Sequence, residues 1–192
     1  MRIAFFGGSF DPPHCGHIAV ARAARGAFAL DRVLFAPVGL QPFKRDGSSA
    51  SFKDRVAMTR LAIESEAAFE LSLIDAPGDN APNYTFDTLT RLRTTLPTGA
   101  DLFLLLGADA FRSFPDWHRA AEIHQLAELI VAARPGEALP EAGQPGVHLL
   151  PDLNYEVSAT EIRRQIHGDA PNLPPLLPPA VLAYIHQHGL YR

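Results

Sequence analysis

Apolar and polar positions along the chain alternate between two rhythms. Met1–Phe6 is a short apolar run, Gly7-Gly8-Ser9-Phe10-Asp11-Pro12-Pro13 is a string of turn formers, and His14-Cys15-Gly16-His17 opens an alanine-rich helical pattern. The stripe His17, Val20, Ala21, Ala24, Phe28 has the spacing of a buried helix face. Val33–Ala36, within Arg32–Pro37, reads as a second buried strand. Strand, helix and strand in such close succession predict a parallel sheet with right-handed crossovers. A loop over Val38–Ala50 leads to a helix from Ser51 to about Glu66, and Phe69–Asp75 alternates like a half-buried strand. After a Gly, Pro, Asn and Asp-rich loop, Thr85 is placed to cap a helix running to Leu96. Asp101–Leu106 has the unbroken apolar character of a central parallel strand. Glu128–Ala133 and Val147–Leu150 follow as further strands. Ser158-x-x-Glu161 predicts a capping box, so a helix starts at Ser158. Pro179 and Gly189 bracket a last helix. No repeat, low-complexity tract or linker interrupts this order, which predicts one doubly wound α/β domain over residues 1–192.

Charge and composition narrow the function classes. A net charge of −4 argues against a general nucleic-acid binder, so any anion site must be built locally. The single cysteine excludes an intrachain disulfide and suits a reducing compartment. With no charged and apolar leader and no apolar run of about 18 residues, the expectation is a soluble cytoplasmic protein without a membrane partner. Oligomeric state is not legible.

The first two dozen residues carry the sharpest chemistry. Strand, glycine turn and helix start are how parallel sheets build phosphate sites: Gly7 and Gly8 let an anion approach the backbone, and the first helical turn offers unpaired N–H groups. The spacing His14-x-x-His17 sets both rings on one side of that turn, where imidazoles stabilise developing phosphate charge. Simple capping and packing by the two histidines is the bland alternative. A zinc site on His14, Cys15 and His17 lacks a second ligand cluster. Neither G-x-G-x-x-G nor G-x-x-x-x-G-K-[ST] is present. Lys44 and Arg45 place cations just beyond a strand's carboxyl end. Gly107-Ala108-Asp109 closes the central strand, with Asp109 suited to ribose hydroxyls, a metal or a helix cap. Trp117 suits stacking on an aromatic ring or core packing. Ser158, Thr160 and Arg163 around a helix start make a second anion site.

Gly7 to His17 resembles the signature of the nucleotidylyltransferase superfamily, [TS]-x-x-x-x-H-x-G-H, in the form found in bacterial nicotinate-nucleotide adenylyltransferases. Val157-Ser158-Ala159-Thr160-Glu161-Ile162-Arg163 resembles the same superfamily's closing Ile-Ser-x-Thr-x-Ile-Arg motif. Pro82-Asn83-Tyr84-Thr85 stands where the family has Pro-Ser-Tyr-Thr, and Gly107-x-Asp109 with Trp117, Arg134-Pro135-Gly136 and the tail also match, so the likeness spans the chain. Gln41-Pro42-Phe43-Lys44 departs from the family's Pro-Pro-His-Lys at Gln41 and Phe43.

The resemblance implies a Rossmann-like nucleotidylyltransferase fold and transfer of an adenylyl group from ATP, with Mg²⁺, to nicotinate mononucleotide, serving NAD biosynthesis. It implies His14 and His17 as catalytic groups and Gly8, Ser9, Phe10, Lys44, Gly107, Asp109, Ser158, Thr160 and Arg163 at ATP. Gly7, Tyr84, Thr85, Trp117 and Arg134 would lie by the mononucleotide, and no protein metal site is implied. Another acceptor, such as nicotinamide mononucleotide or phosphopantetheine, and a nucleotide-binding module without catalysis are the alternatives.

Overall fold

The computed structural model describes residues 1–41, 48–78, 81–133, 144–150, 157–168 and 176–192. Six parallel strands form one sheet in the order β3-β2-β1-β4-β5-β6: β1 (Arg2–Gly8), β2 (Arg32–Pro37), β3 (Phe69–Leu71), β4 (Asp101–Gly107), β5 (Glu128–Ala132) and β6 (Val147–Leu150). The chain winds outward from β1 through β2 to β3, then crosses back to start the second half at β4. The sheet order therefore reverses between β1 and β4, and the crevice at their carboxyl ends is where such sheets bind ligands.

The central strands are apolar on both faces because both are covered. Alternate residues Ala4, Phe6, Val33, Phe35, Phe103 and Leu105 pack under α1 (Cys15–Ala27), α2 (Phe52–Ile63), α6 (Ala159–His167) and α7 (Pro179–His188). Ile3, Phe5, Leu34, Leu102, Leu104 and Leu129 pack on the opposite face. They meet α3 (Thr85–Thr95), a 3₁₀ turn (Phe114–Asp116) and α5 (Ala120–Leu126); α4 (Ala108–Arg112) follows β4 directly.

Local chemistry explains the helix ends. The Ser51 hydroxyl accepts the Asp54 N–H at 3.1 Å and caps α2. Pro179 opens α7, and Gly189, at φ 61°, closes it in the left-handed region that suits glycine. In α1 the buried positions are Gly16, Ile18, Ala21 and Ala24, while His17 and Val20 are half-buried, so the inward stripe is rotated toward Ile18 from the one the spacing predicts.

Four boundaries depart from the sequence reading. Gly7 and Gly8 are the last rungs of β1, paired with Ala36 and Pro37, so the turn proper begins at Ser9. Strand β3 ends at Leu71: beyond it the Ser72 N–H bonds Phe35 O at 2.8 Å, and Leu73, 51% exposed, faces solvent beyond this edge strand. Thr85 is the first residue of α3 and Tyr84 stands at the cap without a side-chain bond. Helix α5 was not anticipated, because Arg119 precedes it in the left-handed region with no capping side chain.

Where the sheet's edge meets solvent, two loops are fastened together. Gly39 N–H donates to Asp75 O at 2.7 Å, and a Cβ on Gly39 would stand 2.5 Å from Pro77 N. The Asp75 carboxyl is 5% exposed and accepts the Thr88 hydroxyl; burial pushes its pKa up, with Thr88 and Arg91 opposing.

Gly39→Ala is expected to cost about 1–3 kcal/mol in urea unfolding, because backbone rather than a flexible side chain must move. Gly26→Ala, in α1 with open space around its Cα, should instead gain about 0.4–1 kcal/mol. A carboxyl whose folded pKa is raised binds its proton more tightly when folded. Its contribution is thus full below the unfolded pKa and is lost as pH rises through the folded one. Unfolding midpoints from about pH 4 to 8 should therefore fall less steeply for Asp75→Asn than for the parent.

Candidate active site

The loop leaving β1 is held open from behind. Phe10 has φ 47°, which turns its ring inward against Phe6 and Phe35, at centroid distances of 5.5 and 5.6 Å. Its ring is 2% exposed, so what this residue offers a ligand is backbone. The Arg55 guanidinium, 1% exposed, donates to Ser9 O at 2.7 Å and to Val38 O at 2.8 Å, and burial lowers its pKa against the opposing charge of Asp11. Asp11 accepts the N–H groups of Ser49 and Ala50 at 2.6 and 3.1 Å and the Tyr191 hydroxyl at 2.7 Å. The Ser9 hydroxyl donates to Gln41 Oε1 at 2.9 Å.

The two histidines meet as the spacing predicts. Their rings stack at 3.7 Å with 27° between planes. His14 stands at the N-cap of α1, and its backbone N–H donates to His17 Nδ1 at 3.1 Å. A nitrogen that accepts carries no proton, so the neutral His17 ring holds its hydrogen on Nε2 and presents that atom as a donor. Phe10 packs edge-on to His17 at 5.0 Å, which fixes the ring's plane. Gly16 has a steric reason: a Cβ there would lie 3.0 Å from His14 Nδ1 and 3.6 Å from Val157 Cβ. Val157 in turn brings the start of α6 against this turn.

That second segment is differently wired from the sequence reading. Ser158 occupies the N-cap of α6 but its hydroxyl makes no cap bond, and the predicted capping box does not form. Glu161 instead takes the Arg164 fork at 2.7 and 2.8 Å and Gln165 at 2.8 Å, which holds its carboxyl down to about 2. Two charge-assisted bonds from one guanidinium outcompete a single backbone donor. Arg163 points the other way: one nitrogen donates to Asp11 O at 2.7 Å and the other to Thr160 Oγ1 at 3.2 Å. Residues from the two ends of the chain thus share one side of the sheet edge.

On the other face of the sheet lies an open cleft lined by Phe5, Gly7, Gly8, Val38, Gln41, Tyr84, Thr85 and Trp117 among others. Trp117 packs on Phe114 at 5.5 Å and its Nε1–H donates to Ser113 Oγ at 3.2 Å, leaving the indole half-buried at the cleft wall. Asn83 ties its loop to Leu40, donating its N–H to Leu40 O at 2.9 Å and accepting the Leu40 N–H at 3.0 Å. His118 also lines the cleft, with its ring 4.6 Å from that of Tyr84.

Gly107 leaves the sheet level with Gly8, since Phe5 pairs Leu104 and both strands run on equally from there. Asp109, the second residue of α4, is paired with Arg112; Gly107 holds the cap position. Lys44 and Arg134 lie outside the described residues. Among the described residues, sequence reasoning missed Asp11, Arg55, Asn83, His118 and Tyr191. His118 follows Trp117 directly and Asp11 sits inside the glycine–histidine motif. Arg55 and Tyr191 carry no local signal.

The cytidylyltransferase-like family model matches residues 5–165. A probable nicotinate-nucleotide adenylyltransferase of Solibacter usitatus is 40% identical over 191 residues, covering 100% of both chains. One from Thermus thermophilus is 40% identical over 195 residues, again covering 100% of both. The fold is shared with a solved structure of Plasmodium falciparum nicotinic acid mononucleotide adenylyltransferase complexed with NaAD. The TM-score is 0.80 at 19% identity, over 99% of this chain and 97% of that one. No described helix is long and apolar enough to cross a membrane. A match that runs from β1 past the start of α6, with full-length relatives at this identity, shows that the chain belongs to the cytidylyltransferase-like family and, within it, to the nicotinate-nucleotide adenylyltransferases.

Proposed function

We propose that the chain transfers the adenylyl group of ATP to nicotinate mononucleotide, giving the deamido dinucleotide and pyrophosphate. The observation that carries this reading is the Arg163–Asp11 bond, which fastens the α6 start to the glycine–histidine turn at 2.7 Å while an aromatic cleft opens on the other sheet face. Two phosphates brought to one edge from opposite faces suit a direct displacement. A 5′-phosphate oxygen of the mononucleotide forms the new bond to the α-phosphorus of ATP. The bond from that phosphorus to the β-phosphate's bridging oxygen breaks, and both electrons leave with pyrophosphate. No protein nucleophile takes part.

His17 donates from Nε2 to the α-phosphate as charge builds, and His14, stacked on it, holds its plane. Gly8, Ser9 and the Phe10 backbone line the turn, with Gly107 and Asp109 beside the nucleotides. Ser158, Thr160 and Arg163 take the triphosphate and the leaving pyrophosphate, with Lys44 read in the same role. Trp117 stacks on the pyridine ring, and Tyr84, Thr85, Gly7 and Arg134 complete that pocket. Among the described residues no three acidic, histidine or cysteine groups are set to hold a metal. Mg²⁺ is read as part of the ATP substrate, where it would screen triphosphate charge. The relatives' names, and the NaAD bound in the Plasmodium falciparum nicotinic acid mononucleotide adenylyltransferase, support the acceptor.

Pyrophosphate release from MgATP is to be measured with nicotinate mononucleotide, nicotinamide mononucleotide and phosphopantetheine in parallel. Release mainly with the nicotinate acceptor is expected; release mainly with another keeps the chemistry and replaces the substrate. His17→Ala should cost about 10²–10³ in kcat. A variant within about threefold of the parent would remove His17 from the mechanism. Trp117→Ala should raise KM for the mononucleotide well above any change for ATP.

A further inference from the structure

Asp11 is touched from four directions, and one of them comes from the last turn of the chain. Its Oδ2 accepts the Ser49 N–H at 2.6 Å; its Oδ1 accepts the Ala50 N–H at 3.1 Å and the Tyr191 hydroxyl at 2.7 Å. Its main-chain carbonyl receives Arg163 at 2.7 Å, and Arg55 holds Ser9 two residues earlier. Tyr191 reaches this position from beyond α7 with φ 65°, a left-handed conformation that bulky residues avoid, so contacts must hold it there. Burial and the Asp11 charge push the Tyr191 pKa up, which keeps the hydroxyl a donor.

We propose that Tyr191 is a positioning residue for ATP: its hydroxyl, donated to Asp11, fixes the turn that carries Ser9 and the carbonyl on which Arg163 is anchored. This rests on the adenylyl-transfer reading for the name of the ligand. Removing the hydroxyl leaves the carboxylate with two backbone donors on one side, so Asp11 and the Arg163 anchor relax together. None of Tyr191, Asp11, Arg55 or Arg163 lines the mononucleotide cleft; the turn reaches it through Gly8, through Gln41 on the Ser9 hydroxyl and through Val38 on Arg55. The larger effect is therefore expected on ATP, whose side of the turn carries the Asp11–Arg163 anchor. A tail that merely packs would loosen both.

The test uses the full chain with Tyr191→Phe, and reads ATP affinity by calorimetry without acceptor, then KM for each substrate and the melting temperature. ATP affinity is expected to fall about tenfold, the size of one hydrogen bond to a charged group, with KM for the mononucleotide within about twofold. Tyr184→Phe is the matched control. It removes a tyrosine–carboxylate bond from the same tail, that of Tyr184 to Asp54 Oδ1 at 2.9 Å, away from the turn, and should leave both substrates unchanged. In an Asp11→Asn background the effect of Tyr191→Phe should shrink to about twofold or less, because the two act as one unit. Unchanged ATP affinity, equal losses for both substrates, an equal loss in Tyr184→Phe, or a full effect in the Asp11→Asn background would each overturn the proposal. A parent that binds ATP but releases no pyrophosphate would sink the reaction and leave this test readable. One that binds no ATP would overturn both.

Discussion

A turn that is to receive phosphate must hold its own backbone open while filling none of the space in front of it. Here that constraint is met from behind by a buried cation. Arg55 reaches from α2 to the carbonyls of Ser9 and Val38, so the loops after β1 and β2 are fixed to each other through one guanidinium. Burying that charge is tolerable because the neighbouring Asp11 opposes it and the fork's donors meet carbonyl oxygens. Phe10 can then spend its ring on the core, and the histidines are carried forward on the far side of the turn. Without this anchor the turn would rest on the Asp11 bonds, the Ser9–Gln41 bond and the buried Phe10 ring.

The sheet order explains why two kinds of pocket meet at one place. Between β1 and β4 the chain's winding reverses, so helices α1 and α6 cover one face while α3 and α5 cover the other. Phosphate-type groups, His14, His17, Thr160 and Arg163, gather beside the first set. The aromatic cleft with Trp117 and Tyr84 opens beside the second. On the adenylyl-transfer reading each base would lie on its own face and only the phosphates would have to meet. The strand ends at Gly8 and Gly107 form the gap between them.

The strands were legible because buried parallel strands leave unbroken apolar runs, as in Leu102–Leu105, and because glycine and proline mark their ends, whereas their order in the sheet was read only from the structure. The paired histidines were legible as well: a helical first turn leaves little choice about where residues three apart point. What escaped the sequence was whatever depends on a partner far along the chain. Arg55 looks like a surface residue of a helix whose buried positions include Met58, Ala62 and Ile63, and only the fold brings two carbonyls to it. Tyr191 stands 180 residues from Asp11. The capping box at Ser158 failed for a local reason instead. The pattern was right for Glu161, but Arg164 competed for the same carboxylate from within the helix and won.

The glycines divide along the same line. At Gly39 a Cβ would run into the backbone of Pro77, so the fold itself forbids a side chain there, and at Gly16 it would crowd the His14 ring at 3.0 Å. Gly107 is different: its φ of −77° and ψ of 158° suit any residue, and nothing lies within 4 Å of where a Cβ would stand. Neither backbone strain nor protein packing accounts for a glycine at that strand end. On the adenylyl-transfer reading the space belongs to the nucleotides passing over the sheet edge between the two faces. The chain's own packing thus separates Gly16 and Gly39, which it crowds, from Gly107, which it leaves as open as Gly26 and Gly78 although it closes a central strand.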